Sequence, residues 1–382
     1  MKTIHKKNTT FLNLAAAALM VAALVLGCNT NVSNGSEVQP EKFTVTFNVN
    51  GGNGKLTANP VIPAGGKVAK DAEITFTATA NPGYRVDTWT VTPTEALIPD
   101  WQAGNGTAKV KVTENTTVKV TFTPIVYTPV SYDNLSDHLT KTQPASDGIY
   151  YIEVTDLTES DVKGNILSDS ESPLGKILKK NKKKKVALKF GTISYGVTDM
   201  KKCFEGCTNL VQVSNIPDSI TDMYGCFRGC TKLEQVSNIP DSITDMSSCF
   251  NGCTNLTSVP NIPNSVKDMG LCFNGCTSLT SVPNIPNSVK DMNWCFVDCK
   301  SLTSVPNIPN SVKDMSWCFV NCTSLTSVTL KCEYLDGKFN HAFNDCSRLS
   351  AGRIKVPADS LDDYKDNADK MDAQKDWFAK DE

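Results

Sequence analysis

Histidine is nearly missing from this 382-residue chain, which has three: His5, His138 and His341. Their scarcity argues against His-based acid–base catalysis and His-rich metal centres. No P-loop, G-x-S-x-G or H-E-x-x-H motif occurs. A Cys–His pairing built on His341 has no third group to orient it, so nothing points to an enzyme, a cofactor or a small-molecule substrate. Net charge is also small, at −2, which provides no field to attract nucleic acid. After residue 27 there is no apolar run long enough to span a bilayer.

The exception is the N-terminus. Lys2, Lys6 and Lys7 precede an Ala- and Leu-rich run over 11–27, the order of a signal peptide covering residues 1–27. The run stops at LVLGC, 24–28, which resembles a lipobox through Val25 and Gly27 and departs from it at Leu26. That resemblance implies lipidation of Cys28 as the mature N-terminus; otherwise Cys28 is incidental to a plain signal peptide. Residues 28–42 are polar with Gly, Ser and Pro and read as a lipidated tether. An exported chain held by its lipid to a membrane, at the outer membrane or cell surface, is the expectation.

A small, mostly β domain is expected over 43–124. FTVTFNVN (43–50) alternates apolar and polar residues and runs into the turn Gly51-Gly52-Asn53-Gly54. Further strand patterns are EITFTATA (73–80), YRVDTWTV (84–91), TAKVKV (107–112) and TVKVTF (117–122). Together these segments resemble the divergent internalin B-type repeat of bacterial surface proteins, which implies a spacer or binding module without chemistry. Tyr84 and Trp89 are either core aromatics or part of a ligand site.

Residues 125–195 read as a junction able to cap whatever follows. Strands are expected at 150–154 and 186–190, with a helix-leaning stretch over 160–181 that breaks near Ser172-Pro173. KKNKKKK (179–185) is the one basic run; it reads either as a polyanion site or as a solvated helix end.

Internal repetition dominates 196–350. Met200, Met223, Met246, Met269, Met292 and Met315 recur every 23 residues, as do Phe204 to Phe319 and Leu210 to Leu325; a seventh, slipped coil carries Phe343 and Leu349. Within a coil, Val289, Met292, Cys295, Phe296 and Cys299 fall at helical spacing, which predicts a short amphipathic helix. An extended segment follows, in which Pro260, Pro283 and Pro306 remove ladder donors and limit strands to two to four residues. One coil buries nothing alone, whereas stacked coils share a core. The recurring Phe-x-x-Cys-x-x-Leu-x-x-Val resembles the BspA-like leucine-rich repeats of bacterial surface proteins. The resemblance implies a curved α/β leucine-rich-repeat solenoid of short parallel strands and short helices, and a role in adhesion. The implied partner is a host extracellular-matrix or bacterial surface protein. The tail, 351–382, reads as the C-terminal cap.

Six cysteine pairs, from Cys203/Cys207 to Cys318/Cys322, recur with the coils. Helical spacing holds Cβ atoms roughly 5–6 Å apart, too far for a disulfide within a pair. Inter-coil disulfides and a zinc site remain alternatives. Coil seven has Ala342 at the first position and keeps Cys346, so the first position accepts a small apolar side chain and core packing is favoured.

Function is sought where coils differ. The residue before the first Cys runs Lys202, Gly225, Ser248, Leu271, Trp294, Trp317, His341, and the residue after the Phe becomes Val297 and Val320 late in the array. Leu271, Trp294, Val297, Trp317 and Val320 are therefore expected to form a contiguous apolar patch, either a partner surface or one covered by Trp377 and Phe378 of the tail. A Thr-Ser column, Thr257-Ser258 to Thr326-Ser327, is either a glycan-binding row or solvated. A spacer protein without a ligand is the alternative to a binding protein.

Overall fold

The computed structural model describes residues 41–81, 83–98, 106–165 and 170–381. The signal peptide and Cys28 lie outside the described residues. Among the described residues, no helix is long and apolar enough to cross a membrane.

Seven strands build the first sheets: β1 (Lys42–Asn50), β2 (Gly54–Asn59), β3 (Lys67–Ala69), β4 (Glu73–Ala80), β5 (Tyr84–Thr92), β6 (Thr107–Lys111) and β7 (Thr116–Pro124). They form one sheet in the order β3-β1-β7-β5 and another in the order β2-β4-β6. Alternate residues turn inward, so Ile74, Phe76, Val118 and Val120 share a core with Trp89. Trp89 is thus a core aromatic. Strands β2 and β3, GKLTAN and KVA, have patterns too short and weak to mark a strand in the sequence.

The junction then supplies β8 (Thr128–Ser131), α1 (Leu135–Lys141), β9 (Ile149–Thr155), α2 (Glu159–Val162), α3 (Pro173–Lys180) and β10 (Lys185–Phe190). Helix α3 starts where expected: the Ser172 hydroxyl accepts from the Gly175 amide at 3.0 Å, and Pro173 occupies the first turn. The basic run is the end of this helix, with Lys179 paired to Glu171 at 2.9 Å and Lys184 over the Tyr150 ring. Strands β8, β9 and β10 continue in parallel into β11 (Leu210–Ser214) and β12 (Gln235–Val236), which belong to the first coils.

The strand ladder then stops, for a reason visible in one column. In the second coil the Ser237 amide donates to Val213 O at 3.0 Å. At the same place the next coils have Pro260, Pro283 and Pro306, which have no amide hydrogen. Among the described residues the extended segments of those coils form no ladder, and their bridges are isolated ones. A strand returns as β13 (Val328–Thr329), where the column reads Thr329. The expected strands of two to four residues are thus absent from the middle coils.

The segment read as an amphipathic helix is instead a pair of stacked turns. In the fourth coil Cys272 N bonds Met269 O at 3.1 Å and Cys276 N bonds Phe273 O at 3.0 Å. The intervening amides point out of the coil: Met269, Leu271, Phe273 and Gly275 donate to the carbonyls of Asp291, Asn293, Cys295 and Val297 at 2.7–2.9 Å. Left-handed backbone at Leu271 (φ 58°) and Gly275 (φ 73°) produces this alternation, which an α-helix does not allow. The fold class stands, because the same apolar residues still face inward. Hydrogen bonds between coils come mainly from the turns.

Phenylalanines form a continuous column through the array. From Phe204 to Phe343, successive rings stack at 5.4–5.8 Å and within 11° of parallel. Phe190 of β10 opens the column and Phe378 closes it. Phe378 lies in β15 (Phe378–Lys380), which pairs in parallel with β14 (Ile354–Val356), itself beside β13. The tail also imitates a further coil: Lys370 O and Met371 O accept from the amides of His341 and Phe343.

Candidate functional site

The spacing of the cysteines raises the possibility of chemistry. All fourteen described cysteines are free and buried. Among the described residues no group of three or more His, Cys, Asp or Glu side chains is placed to hold a metal ion. The two members of a pair differ in role. The second donates its thiol to the Phe carbonyl of the preceding coil, as in Cys230 to Phe204 O at 3.0 Å and Cys276 to Phe250 O at 3.2 Å. That carbonyl already accepts a backbone amide, so the thiol occupies its remaining lone pair. Cys346 does the same to Phe319 O at 3.1 Å. This explains why coil seven tolerates Ala342 at the first position and retains its second cysteine. Burial pushes every one of these thiols up, Cys207, Cys276 and Cys346 to about 12, which makes them poor nucleophiles.

The late part of the varying column, from Leu271 to His341, forms a surface ridge, whereas Lys202 and Ser248 earlier in it are buried. Trp294 and Trp317 stack with centroids 4.9 Å apart, and Trp317 meets His341 at 4.1 Å. His341 Nδ1 lies 2.7 Å from Asp372 Oδ2, which also accepts from Asn344 Nδ2 at 3.0 Å. The tail therefore fixes the end of the ridge without covering it. Trp377 and Phe378 are elsewhere: Phe378 packs against Phe343 and Tyr364 at the end of the core. Trp294 is 38% exposed, and Trp317 and Leu271 are half-buried beside it in the column. Val297 and Val320 are buried, so burial removes them from the expected patch.

The ridge residues also carry backbone strain. Leu271, Trp294, Trp317 and His341 all have φ between 56° and 61°, the left-handed region. For a non-glycine side chain this costs roughly 1–2 kcal/mol. Gly225 holds the same place in the second coil with φ 57° and none of that cost. Two tryptophans at a position suited to glycine indicate a side-chain role that the backbone does not require. His341 and Asp372 were missed as site residues because the 31-residue separation hides their contact. The Thr-Ser column is partly engaged, with the Thr326 hydroxyl on Thr303 O at 3.0 Å.

Comparison with known proteins places two families on the chain. Residues 184–293 and 261–367 match the BspA type leucine rich repeat region, in six copies. Residues 43–126 match the divergent InlB B-repeat domain. A solved leucine-rich repeat protein from T. pallidum is 27% identical, over 48% of this chain and 83% of that one, with a TM-score of 0.37. Another, from Bacteroides ovatus, is 20% identical over 45% of this chain and 64% of that one, with a TM-score of 0.24. No curated protein matches.

Proposed function

We propose a function from the premise that this chain is built of BspA-type leucine-rich repeats behind a divergent InlB B-repeat domain, a class of repeat that serves binding or scaffolding. The protein is an exported surface lipoprotein, anchored through Cys28, that binds a protein partner along its repeat array. The partner class is a host extracellular-matrix protein or a surface protein of another bacterium. The observation that carries this reading is the strained, partly exposed Trp294–Trp317 stack, continued by His341. Stacked tryptophans present a large contact area at low conformational cost, and such residues dominate protein–protein binding energy.

Two measurements test the reading. The chain from residue 29 onward should bind at least one immobilised matrix protein (fibronectin, laminin or collagen) saturably in surface plasmon resonance. The absence of saturable binding to all three would favour a ligand-free envelope spacer. For the anchor, Cys28→Ser in the full chain should move the protein from the membrane to the soluble fraction of expressing bacteria. Retention in the membrane would refute lipid attachment at Cys28.

A further inference from the structure

A second, unrelated surface lies along the Asn-Ile-Pro-Asn segments of the middle coils. An open groove of about 800 Å³ is lined there by Asn264, Asn284, Asn287, Asn307 and Asn310. All five are exposed. None of their side chains has a hydrogen-bond partner among the described residues, whereas Asn215 and Asn238, which hold the place of Asn284 and Asn307 in the first two coils, are bonded to the backbone. Asn215 Nδ2 donates to Phe190 O at 2.6 Å. Asn238 donates to Ile216 O at 2.9 Å and accepts from Ile216 N at 3.1 Å. Asn284 and Asn307 are thus released from a structural task that Asn215 and Asn238 perform.

Charge changes at the same point. The column that reads Asp218 and Asp241 in the first coils becomes Asn264, Asn287 and Asn310 along the groove. The charged pair lining the groove, Lys331 and Asp381, neutralises itself in an ion pair. Pro286 and Pro309 lie buried beneath the amide rows, so the asparagine side chains form the exposed part of the groove. The groove therefore offers uncharged groups that both donate and accept, in two rows that repeat coil by coil.

We infer that this groove binds a linear, uncharged glycan with a repeating sugar unit, a ligand distinct from the protein partner of the tryptophan ridge. Hydroxyls match side-chain amides because each both donates and accepts. A site with translational repeats fits a ligand with translational repeats. An extended peptide of irregular sequence fits less well, and strand addition is weakened because Pro263, Pro286 and Pro309 lack the amide hydrogen that it uses.

The test is an array of neutral linear oligosaccharides of glucose, mannose, galactose and N-acetylglucosamine, followed by calorimetry on the best binder. The expected result is binding that rises with length over the first few sugars and changes little with salt. Asn284→Asp/Asn307→Asp keeps the shape and removes donors, so affinity should fall about tenfold or more. Asn287→Ala should weaken binding with an unchanged unfolding midpoint. Trp294→Gly should leave glycan binding intact, which separates this surface from the ridge. No neutral glycan bound, binding of charged glycans alone, indifference to both asparagine variants, or Asn-dependent binding of extended peptides would each overturn the inference.

Discussion

Raising the pH from 7 to about 9.5 under reducing conditions should unfold the repeat array. All fourteen described thiols are buried, and burial raises each above its ordinary pKa. In the unfolded chain the same thiols ionise near 8.5. The folded pKa values lie above the unfolded one, so the associated stability is complete below about 8.5 and drains as pH rises from there toward the folded values. At pH 9.5 most thiols of the unfolded chain are ionised, so each one the fold keeps neutral favours unfolding by about 1 kcal/mol. Over the buried set this is comparable with the roughly 5–15 kcal/mol by which domains are stable. Circular dichroism and thiolate absorbance, followed together in a pH titration, should change in one step between about pH 9 and 9.5. Thiolates appearing without loss of structure would show that the thiols are not held neutral by burial, and native structure without thiolates at about pH 11 would show that thiol ionisation does not limit the stability of the fold.

The second large effect is Phe273→Ala, expected to cost about 3–5 kcal/mol. The Phe273 ring is fully buried between Phe250 at 5.6 Å and Phe296 at 5.5 Å. Truncation removes two ring contacts and leaves a hole in the column that joins one end of the array to the other. A stacked repeat is held by its neighbour interfaces, so the damage falls on the coupling between the halves. Urea unfolding should change from one transition to two. A single transition, displaced by less than about 1 kcal/mol, would mean that the Phe column is not what couples the coils.

Much of this was legible in sequence, and the rest was hidden for identifiable reasons. The 23-residue period gave the solenoid, and Ala342 beside Cys346 gave the buried role of the cysteines. The difference between first and second cysteine needed coordinates, because a thiol bonded to the preceding coil leaves no local pattern. The helix reading failed because stacked turns and a helix place apolar residues at similar spacing. Glycine signalled a left-handed position at Gly206, Gly229, Gly252 and Gly275, but the other one is glycine only in the second coil, at Gly225, and elsewhere is filled by Lys202, Ser248, Leu271, Trp294, Trp317 and His341. The prolines did signal lost strands, and the effect was larger than expected because the adjoining turns already bond coil to coil. For the site, identity along the column was readable and depth was not: Val297 and Val320 face inward while Trp294 and Trp317 remain at the surface. The asparagine rows were visible as residues, but their freedom from backbone bonds was not.

The central claim is that the repeat is a scaffold and that the tryptophan ridge is displayed on it at the expense of backbone comfort. Trp294→Gly addresses both halves at once. It removes a stacking contact worth about 0.5–1.5 kcal/mol and relieves a left-handed residue of about the same cost, so stability should fall by less than about 2 kcal/mol. Matrix-protein binding should fall about thirtyfold or more, as for an interface hot spot. Unchanged binding, accompanied by a loss of stability as large as that expected for Phe273→Ala, would make Trp294 a core residue and contradict the account.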